Sequence, residues 1–575
     1  MRDYTIGIIG GGASGVALAA RMVESLPVGL STADLSIVLF DARGFNGGNA
    51  YAPDVHTNLM NTTCGAVDRN FGGAFGLLDW AQENATPPVH GGVSSDGYLP
   101  RPVVGEYLSG LLARTQRHAA ARGLRFDLVQ EEVVDTAAPA EPEGNYTVCT
   151  RAGNDFAAEY LYLALGHLEP ARTEAYQYAD GYFHNAYPIR RLVEEIPKEA
   201  KVGVLGTRLT AIDVALGLVG GGHTGAIHCV SRRGQLPSVR ADRGKYTFRQ
   251  LEREDLVKRL AGEKRKLSLP EVAEMLGQEM EVAAGRPVAL GDVVKGDLPP
   301  IAYYEQEIAL AKGRARPWQA VLYATNRNID LLWHHLAEDD KHLLMSEWLN
   351  DWLTYRASIP RENAERILKL MKAGQLTVQG GAQGLRWDRE RRTFGIERAG
   401  GSAVDVDYLV SATGSANRIE DADSVLVRNL LNKGLIVPHR YGGIDCVFET
   451  GQVISRDDAA DGEARMFALG PITSGVYFFT TALEIIERQA TQRTRDLAFT
   501  LGVEWLERPE TEAWVDARQA DPERIGDGAD ASHDEGPDLL ERLVLSEQTR
   551  LIDFEQLRLL NDQIKGEATT ARNQS

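Results

Sequence analysis

The chain has 575 residues, too many for one hydrophobic core and enough for two or three domains. Hydrophobic residues make up 43% and charged residues 25%, the balance of an ordinary soluble globular protein. A net charge of −19 without a basic stripe argues against a nucleic-acid partner, and it requires local arginines for any anionic substrate.

Cys64, Cys149, Cys229 and Cys446 stand far apart with no Cys-x-x-Cys, which removes a dithiol centre and a zinc cluster from consideration. That usage fits a reducing cytoplasm. No basic segment and cleavage site precede the first strand, so a signal peptide is not expected. No apolar run reaches membrane-spanning length. A cytoplasmic protein without a metal site is expected.

In chain order, Ile6, Ile8 and Ile9 read as a short buried strand, and Val16 to Leu26 follows with helical spacing. Between them Gly10, Gly12 and Gly15 fall in the Gly-x-Gly-x-x-Gly spacing. The first glycine makes the tight turn, the second admits a pyrophosphate to the backbone, and the third lets helix and strand pack closely. Phosphates then sit at a helix N-terminus, against Ala13 and Ser14, where free N–H groups favour negative charge. The next strand, Leu35 to Phe40, ends in Asp41, placed to accept hydrogen bonds from a ribose. A dinucleotide is expected here.

A loop with Gly47, Gly48, Asn49 and Tyr51 follows, and then Thr57 to Asn61. Polar and glycine-rich, it is placed to line an isoalloxazine ring, although glycine and asparagine also mark plain surface turns. Asn61 is the candidate for a hydrogen bond near the reacting centre; capping of its own loop is the alternative. Phe75 to Gln82 reads as an amphipathic helix and Arg101 to about Gly123 as another. Phe126 to Val134 and Tyr146 to Thr150 alternate like strands of a small sheet. Tyr160 to Leu165 is an apolar strand ending at Gly166 and His167.

The pattern restarts at Lys201 to Ala211. Gly206, Thr207, Arg208, Leu209 and Thr210 form a second strand–turn–helix junction, and the strand Ala226 to Val230 ends in Ser231, Arg232 and Arg233. Arginines at that strand end suit the 2′-phosphate of NADPH, where an acid would select NAD; solvent-exposed charge is the plainer alternative. Arg208 stands where a glycine would admit the pyrophosphate. Arg240 to about Arg366 reads as a helical insertion broken by prolines. Leu376 to Gly381 looks like a return strand, and Tyr408 to Ser411 a strand leading to Ala412, Thr413 and Gly414. Met466 to Leu469 is a further strand, ending at Gly470 and Pro471, with a helix expected from about Phe478 to Thr491. Asp516 to Pro537 reads as an acidic linker and Leu539 to Asn561 as a terminal helix.

These motifs, Gly10 to Gly15, Gly47 to Tyr51, Leu59 to Asn61, Ala164 to His167, Gly206 to Asp213, Ser231 to Gly234, Ala412 to Gly414 and Phe467 to Pro471, run in one order. Together they resemble the two-dinucleotide FAD/NAD(P)-binding flavoproteins, over the chain to about residue 490. Within that group the layout is similar to flavin-dependent N-hydroxylating monooxygenases, of the amino-acid N-monooxygenase, aspartate-to-nitrosuccinate type. Two residues depart from the pattern: Arg208 replaces a glycine, and Leu165 replaces a threonine.

The resemblance implies an α/β protein with two Rossmann-like dinucleotide-binding domains, a helical insertion and a helical C-terminal extension. FAD would be held by 1–195 and a return segment 376–495, and NADPH by 196–375, with the insertion at about 240–366 and the extension at 496–575. In such enzymes NADPH reduces FAD, dioxygen adds at flavin C4a, and the distal oxygen is attacked by an amine, so the protein supplies orientation and a dry pocket rather than a nucleophile. The expected partners are an amine or amino-acid substrate and dioxygen, with a homodimer possible. An amino-acid carboxylate would need guanidinium partners, for which Arg240, Arg243 and Arg356 are the candidates, each against the alternative of a surface salt bridge. Two other readings stay open: a flavin dehydrogenase or oxidase, and a non-enzymatic nucleotide-binding regulator.

Overall fold

The computed structural model describes residues 2–26, 35–68, 75–84, 92–141, 144–241, 244–262, 266–294, 298–313, 315–416, 418–456 and 465–502. The acidic linker, the terminal helix and Arg243 lie outside the described residues.

The chain enters as β1 (Arg2–Ile9), turns at Gly10 into α1 (Ala13–Ser25), and returns as β2 (Ser36–Phe40). Ile6 and Ile8 pack into the core on one face of the sheet, and Tyr4 and Ile9 into the core on the other. Burial on both faces is what a parallel sheet requires, and it explains the continuous apolar run. In α1 only Glu24 escapes burial, because its Ala, Gly and Ser residues let the helix lie close against its neighbours. The long helix α2 (Arg101–Ala121) packs on it. Then come β3 (Arg125–Val129), β4 (Val133–Ala137), β5 (Tyr146–Thr150) and β6 (Asp155–Leu163).

Phe126 to Val134 is thus two strands rather than one. β3 runs parallel to β2 at the sheet edge, and β4 runs antiparallel to β5. The break falls at Glu131 and Glu132, whose carboxylates accept from Asn154 (2.9 Å) and Arg151 (2.8 Å) instead of pointing along a strand.

The second sheet is built from β7 (Tyr182–Phe183), β8 (Val202–Leu205) leading into helix α3 (Leu209–Gly220), and β9 (Ile227–Val230). The chain then runs through helices that include α4 (Pro300–Ala311), α5 (Pro317–Ala324) and α6 (Leu349–Arg356). It returns as β10 (Leu376–Gln379). A separate antiparallel sheet, β11 (Ala382–Asp388), β12 (Thr393–Arg398) and β13 (Ala403–Val406), precedes β14 (Tyr408–Ser411).

The second sheet has the order β10-β9-β8-β14-β7, parallel throughout. The expected domain boundary at 376 is therefore displaced. β10 and β14 belong with β9 and β8, because their apolar side chains complete that core (Leu376, Val410), and the chain rejoins the first sheet only at β15 (Met466–Ala468), parallel to β6. The first sheet runs β3-β2-β1-β6-β5-β4, with β15 also on β6.

The last described helix, α7 (Leu483–Thr500), starts five residues later than expected. Phe478 sits at φ +64°, ψ −64°, a conformation that a bulky residue adopts only under constraint and that ends the preceding turn of helix. Among the described residues no helix is long and apolar enough to cross a membrane.

Candidate functional site

Two turns share one design. In the first, Gly10 has φ +113°, its N–H donates to the Phe40 carbonyl at 2.8 Å, and a side chain there would run into the Ala164 carbonyl. In the second, Gly206 has φ +141°, its N–H donates to the Val230 carbonyl at 2.8 Å, and a Cβ would lie 2.7 Å from the Ala412 carbonyl. The repetition is physical as well as sequential: each strand–helix turn is pinned against the next strand and pressed on another. Gly15 is equally constrained, since a Cβ would strike the Gly10 carbonyl.

Gly12 differs. A Cβ there would meet the Gly48 Cα at 3.6 Å and the Gly47 carbonyl at 3.7 Å, ordinary contact without a clash. Gly12 is also the N-cap of α1, without a side-chain cap, and no acidic residue occupies the first turn. Uncapped N–H groups and a positive helix end fit a pyrophosphate. The second turn departs at this position. Arg208 is the N-cap of α3, again with no side-chain cap, and its guanidinium is drawn away onto α6: Nη2 donates to the Asn350 carbonyl (2.6 Å) and to Thr354 Oγ1 (3.2 Å). The extra side chain therefore leaves the N–H groups of α3 uncapped. The residues of both turns fit a dinucleotide.

Around the first turn, one Asp41 oxygen accepts from the Gly11 N–H and the other from the Arg43 N–H, both at 2.8 Å. Gly470, at φ +77°, closes on the Ser14 side chain, and its N–H donates to Gln489 Oε1 at 2.8 Å, so the start of the Gly470–Pro471 turn stands against α1. The loop from Gly47 pairs with Gly12. Asn49 accepts from Arg43, and Tyr51 is buried, its phenol pushed up to about 12 by burial, with Arg101 working against it. Gly166 and Gly414 each have positive φ, and a Cβ on either would meet no atom within 4 Å. His167 Nδ1 lies 2.9 Å from Ser415 Oγ, joining those two loops.

Around the second turn, Thr207 Oγ1 lies 3.1 Å from Ser231 Oγ and donates to the Gln235 carbonyl at 2.6 Å. Arg233 reaches Asp351 at 3.3 Å. Arg232 is exposed and has no side-chain partner among the described residues. Thr413 Oγ1 lies 3.1 Å from Ser411 Oγ at the end of β14. Leu209 and Thr210 open α3.

A third cluster joins residues far apart in sequence. Arg240 donates to the main-chain carbonyl of Asn61 at 2.8 Å, so the arginine touches the first unit's asparagine loop. The Arg240 guanidinium lies 3.7 Å from the centre of the Tyr323 ring, and that of Arg356 4.5 Å from the same centre. Arg356 also stacks 5.0 Å from the Phe479 ring and donates to Asn326; its Nε is buried without a partner. Among the described residues neither arginine has a carboxylate within ion-pair distance. Burial lowers the pKa of Arg356, Tyr323 and Glu484 work against that, and the neighbouring Arg240 adds to it. Glu484, which accepts from Asn326, acts on Arg356 from beyond ion-pair distance, so a further anion placed directly on the two guanidiniums is stabilising.

The backbone beneath Arg240 is clamped. The Val239 N–H donates to Glu307 (3.0 Å) and its carbonyl accepts from Arg316 (3.1 Å), while Glu307 and Arg316 form a buried bidentate pair at 2.6 and 2.7 Å. Sequence reasoning passed over Tyr323, Phe479 and this clamp, because nothing local marks them. It also passed over Arg101, which pairs with Asp213 of α3 at 3.2 Å, with the Tyr187 hydroxyl donating to the same Asp213 oxygen at 2.6 Å. Asn49, Asn58, Arg101 and Tyr187 line one cavity.

A family model described as FAD-NAD(P)-binding matches residues 7–168. No curated protein sequence matches the chain. Among solved structures, ornithine N-hydroxylase of Kutzneria sp. 744 superposes with a TM-score of 0.51 at 14% identity, covering 87% of this chain and 99% of its own. L-lysine 6-monooxygenase of Pseudomonas syringae gives 0.51 at 14% over the same shares. The reduced form of ornithine hydroxylase of Pseudomonas aeruginosa gives 0.50 at 12%, again over 87% and 99%. The N-terminal unit is thus an FAD-NAD(P)-binding domain, and the two-sheet fold is shared with these three solved structures.

Proposed function

We propose that this FAD-NAD(P)-binding chain is a flavin-dependent monooxygenase that uses NADPH and dioxygen to hydroxylate the amine of a small amino acid or related amine. The observation that carries this reading is the junction of Arg240 with Asn61, which sets two arginines, neither ion-paired among the described residues, against the asparagine loop of the first dinucleotide unit.

Bound FAD supplies the redox chemistry, accepting reducing equivalents from NADPH and activating dioxygen. The chain's own residues bind and orient. The Gly10–Gly15 turn and the uncapped N–H groups of α1 take the pyrophosphate of FAD, and Asp41 has lone pairs left for a ribose hydroxyl. The turn at Gly206 takes the second dinucleotide, and Arg232 and Arg233 meet its 2′-phosphate. Asn61 offers its side-chain amide, which has no protein partner among the described residues, toward the reacting centre. Arg240 and Arg356 hold the substrate carboxylate, and the Tyr323 and Phe479 rings keep that contact dry, which strengthens it.

Replacing Arg356 by lysine keeps the charge but loses the planar fork and the stacking. With a carboxylate-bearing amine, kcat/KM should fall about ten- to a hundredfold, mostly through KM, while NADPH still bleaches the flavin at the wild-type rate. An unchanged KM for that substrate, with the flavin fully loaded, would remove Arg356 from the pocket.

A further inference from the structure

The Ser231-Arg232-Arg233 strand end and Arg208 form a positive corner at the second dinucleotide turn. In a chain of net charge −19 such a corner is the local exception. The helical segment between β9 and β10 places a counter-charge in it. Asp351, near the start of α6, reaches Arg233 at 3.3 Å, and both side chains are partly exposed, at 30% and 38%. One residue earlier, the Asn350 carbonyl and Oδ1 hold Arg208 at 2.6 and 3.3 Å, and Thr354 adds a third contact at 3.2 Å. Asp351 lies within electrostatic reach of Arg208 too, where it opposes the repulsion from Arg233. Arg232 stays unengaged among the described residues.

We infer that Asp351 is a specificity-determining residue, through which this helical segment limits the preference for a 2′-phosphorylated over an unphosphorylated nicotinamide dinucleotide. This rests on the reading that the Gly206 turn binds the nicotinamide nucleotide. The argument is electrostatic. A 2′-phosphate brings a charge of about −1.5 to −2 to the end of β9. Arg233 must then leave Asp351 or share itself between carboxylate and phosphate, and either way part of the existing ion pair is lost. An adenosine with a free 2′-hydroxyl meets neither effect. Asp351 therefore weakens binding of the phosphorylated nucleotide selectively, and it acts through Arg233. Asn350 and Thr354 have a different task, since holding Arg208 keeps the pyrophosphate position open for either nucleotide.

Calorimetric titration of the FAD-loaded protein with NADP+ and with NAD+ tests this on wild type, Asp351→Asn, Arg233→Gln and the double variant. Asp351→Asn should tighten NADP+ about three- to tenfold and leave NAD+ within about twofold, the size expected of a partly exposed charge pair. In the Arg233→Gln background the same change should have less than half that effect, which a purely structural role of Asp351 would not produce. Equal changes for both nucleotides, or a full effect without Arg233, overturn the inference while leaving the nucleotide reading intact. Failure of wild type to bind either nucleotide overturns both.

Discussion

Gly10→Ala should give a protein that no longer retains FAD. Two independent costs fall on this one methyl group. The backbone at φ +113° is a conformation that costs a non-glycine residue about 1–3 kcal/mol, and the new Cβ runs into the Ala164 carbonyl, which is backbone and cannot rotate aside. Relief requires β1 and β6 to part just where they pair, at Ile9 with Leu163. The turn would open, and the uncapped end of α1 would lose its aim at the pyrophosphate. The absorbance ratio of flavin to protein after desalting reads the outcome, with a melting curve of the apoprotein beside it. A stoichiometric flavin with an unchanged melting temperature would mean that the turn does not hold the cofactor. The same substitution at Gly166, where a Cβ meets open space, keeps the strain of positive φ but not the clash and should cost far less.

The second large effect lies in the helical segment. Glu307→Ala leaves Arg316 buried with its partner gone, a situation that costs about 3–5 kcal/mol. It also removes the acceptor of the Val239 N–H, so the segment carrying Arg240 loses one side of its clamp. Thermal unfolding should therefore shift down sharply, and the KM for a carboxylate-bearing substrate should rise in whatever protein still folds. Replacing both members, Glu307→Met with Arg316→Met, removes the stranded charge and should recover most of the stability. Equal destabilisation of the single and double variants would show that the pair contributes packing rather than charge compensation.

How much of this could be read from the chain follows the range of the interactions. The two turns were legible because their demands are local: a strand, glycines at fixed spacing, a helix, and a polar residue at the end of the next strand. Gly10 and Gly206 need the positive φ that their positions announce, and Asp41 does sit beside the first turn. The domain boundary at 376 was not legible, because an apolar strand such as Leu376–Gln379 carries no mark of which parallel sheet it will enter. The break at Glu131 and Glu132 was not legible, because it depends on Asn154 and Arg151 reaching across from the next hairpin to hold those carboxylates. Arg208 looked like damage to a motif; its side chain leaves the turn only because α6, more than a hundred residues away, accepts it.

The arginine pocket was half legible. Arg240 and Arg356 stood out as charges in a net-acidic protein, yet Tyr323 and Phe479, which bring them together, read as ordinary core aromatics. A buried pair such as Arg101 and Asp213 has no sequence signal, since each residue alone reads as surface charge.

The most direct test of the central claim is oxygen transfer. FAD-loaded protein, NADPH and air would be incubated with a panel of small amino acids and with matched amines that lack the carboxylate. Mass spectrometry would follow the products, and NADPH oxidation would be counted in parallel. The account predicts that an amino acid gains one oxygen atom on nitrogen for about each NADPH consumed, and that its carboxylate-free counterpart does so far less well. NADPH consumption that yields only hydrogen peroxide across the whole panel, or that proceeds only with an artificial electron acceptor, would contradict it and favour a flavin dehydrogenase or oxidase.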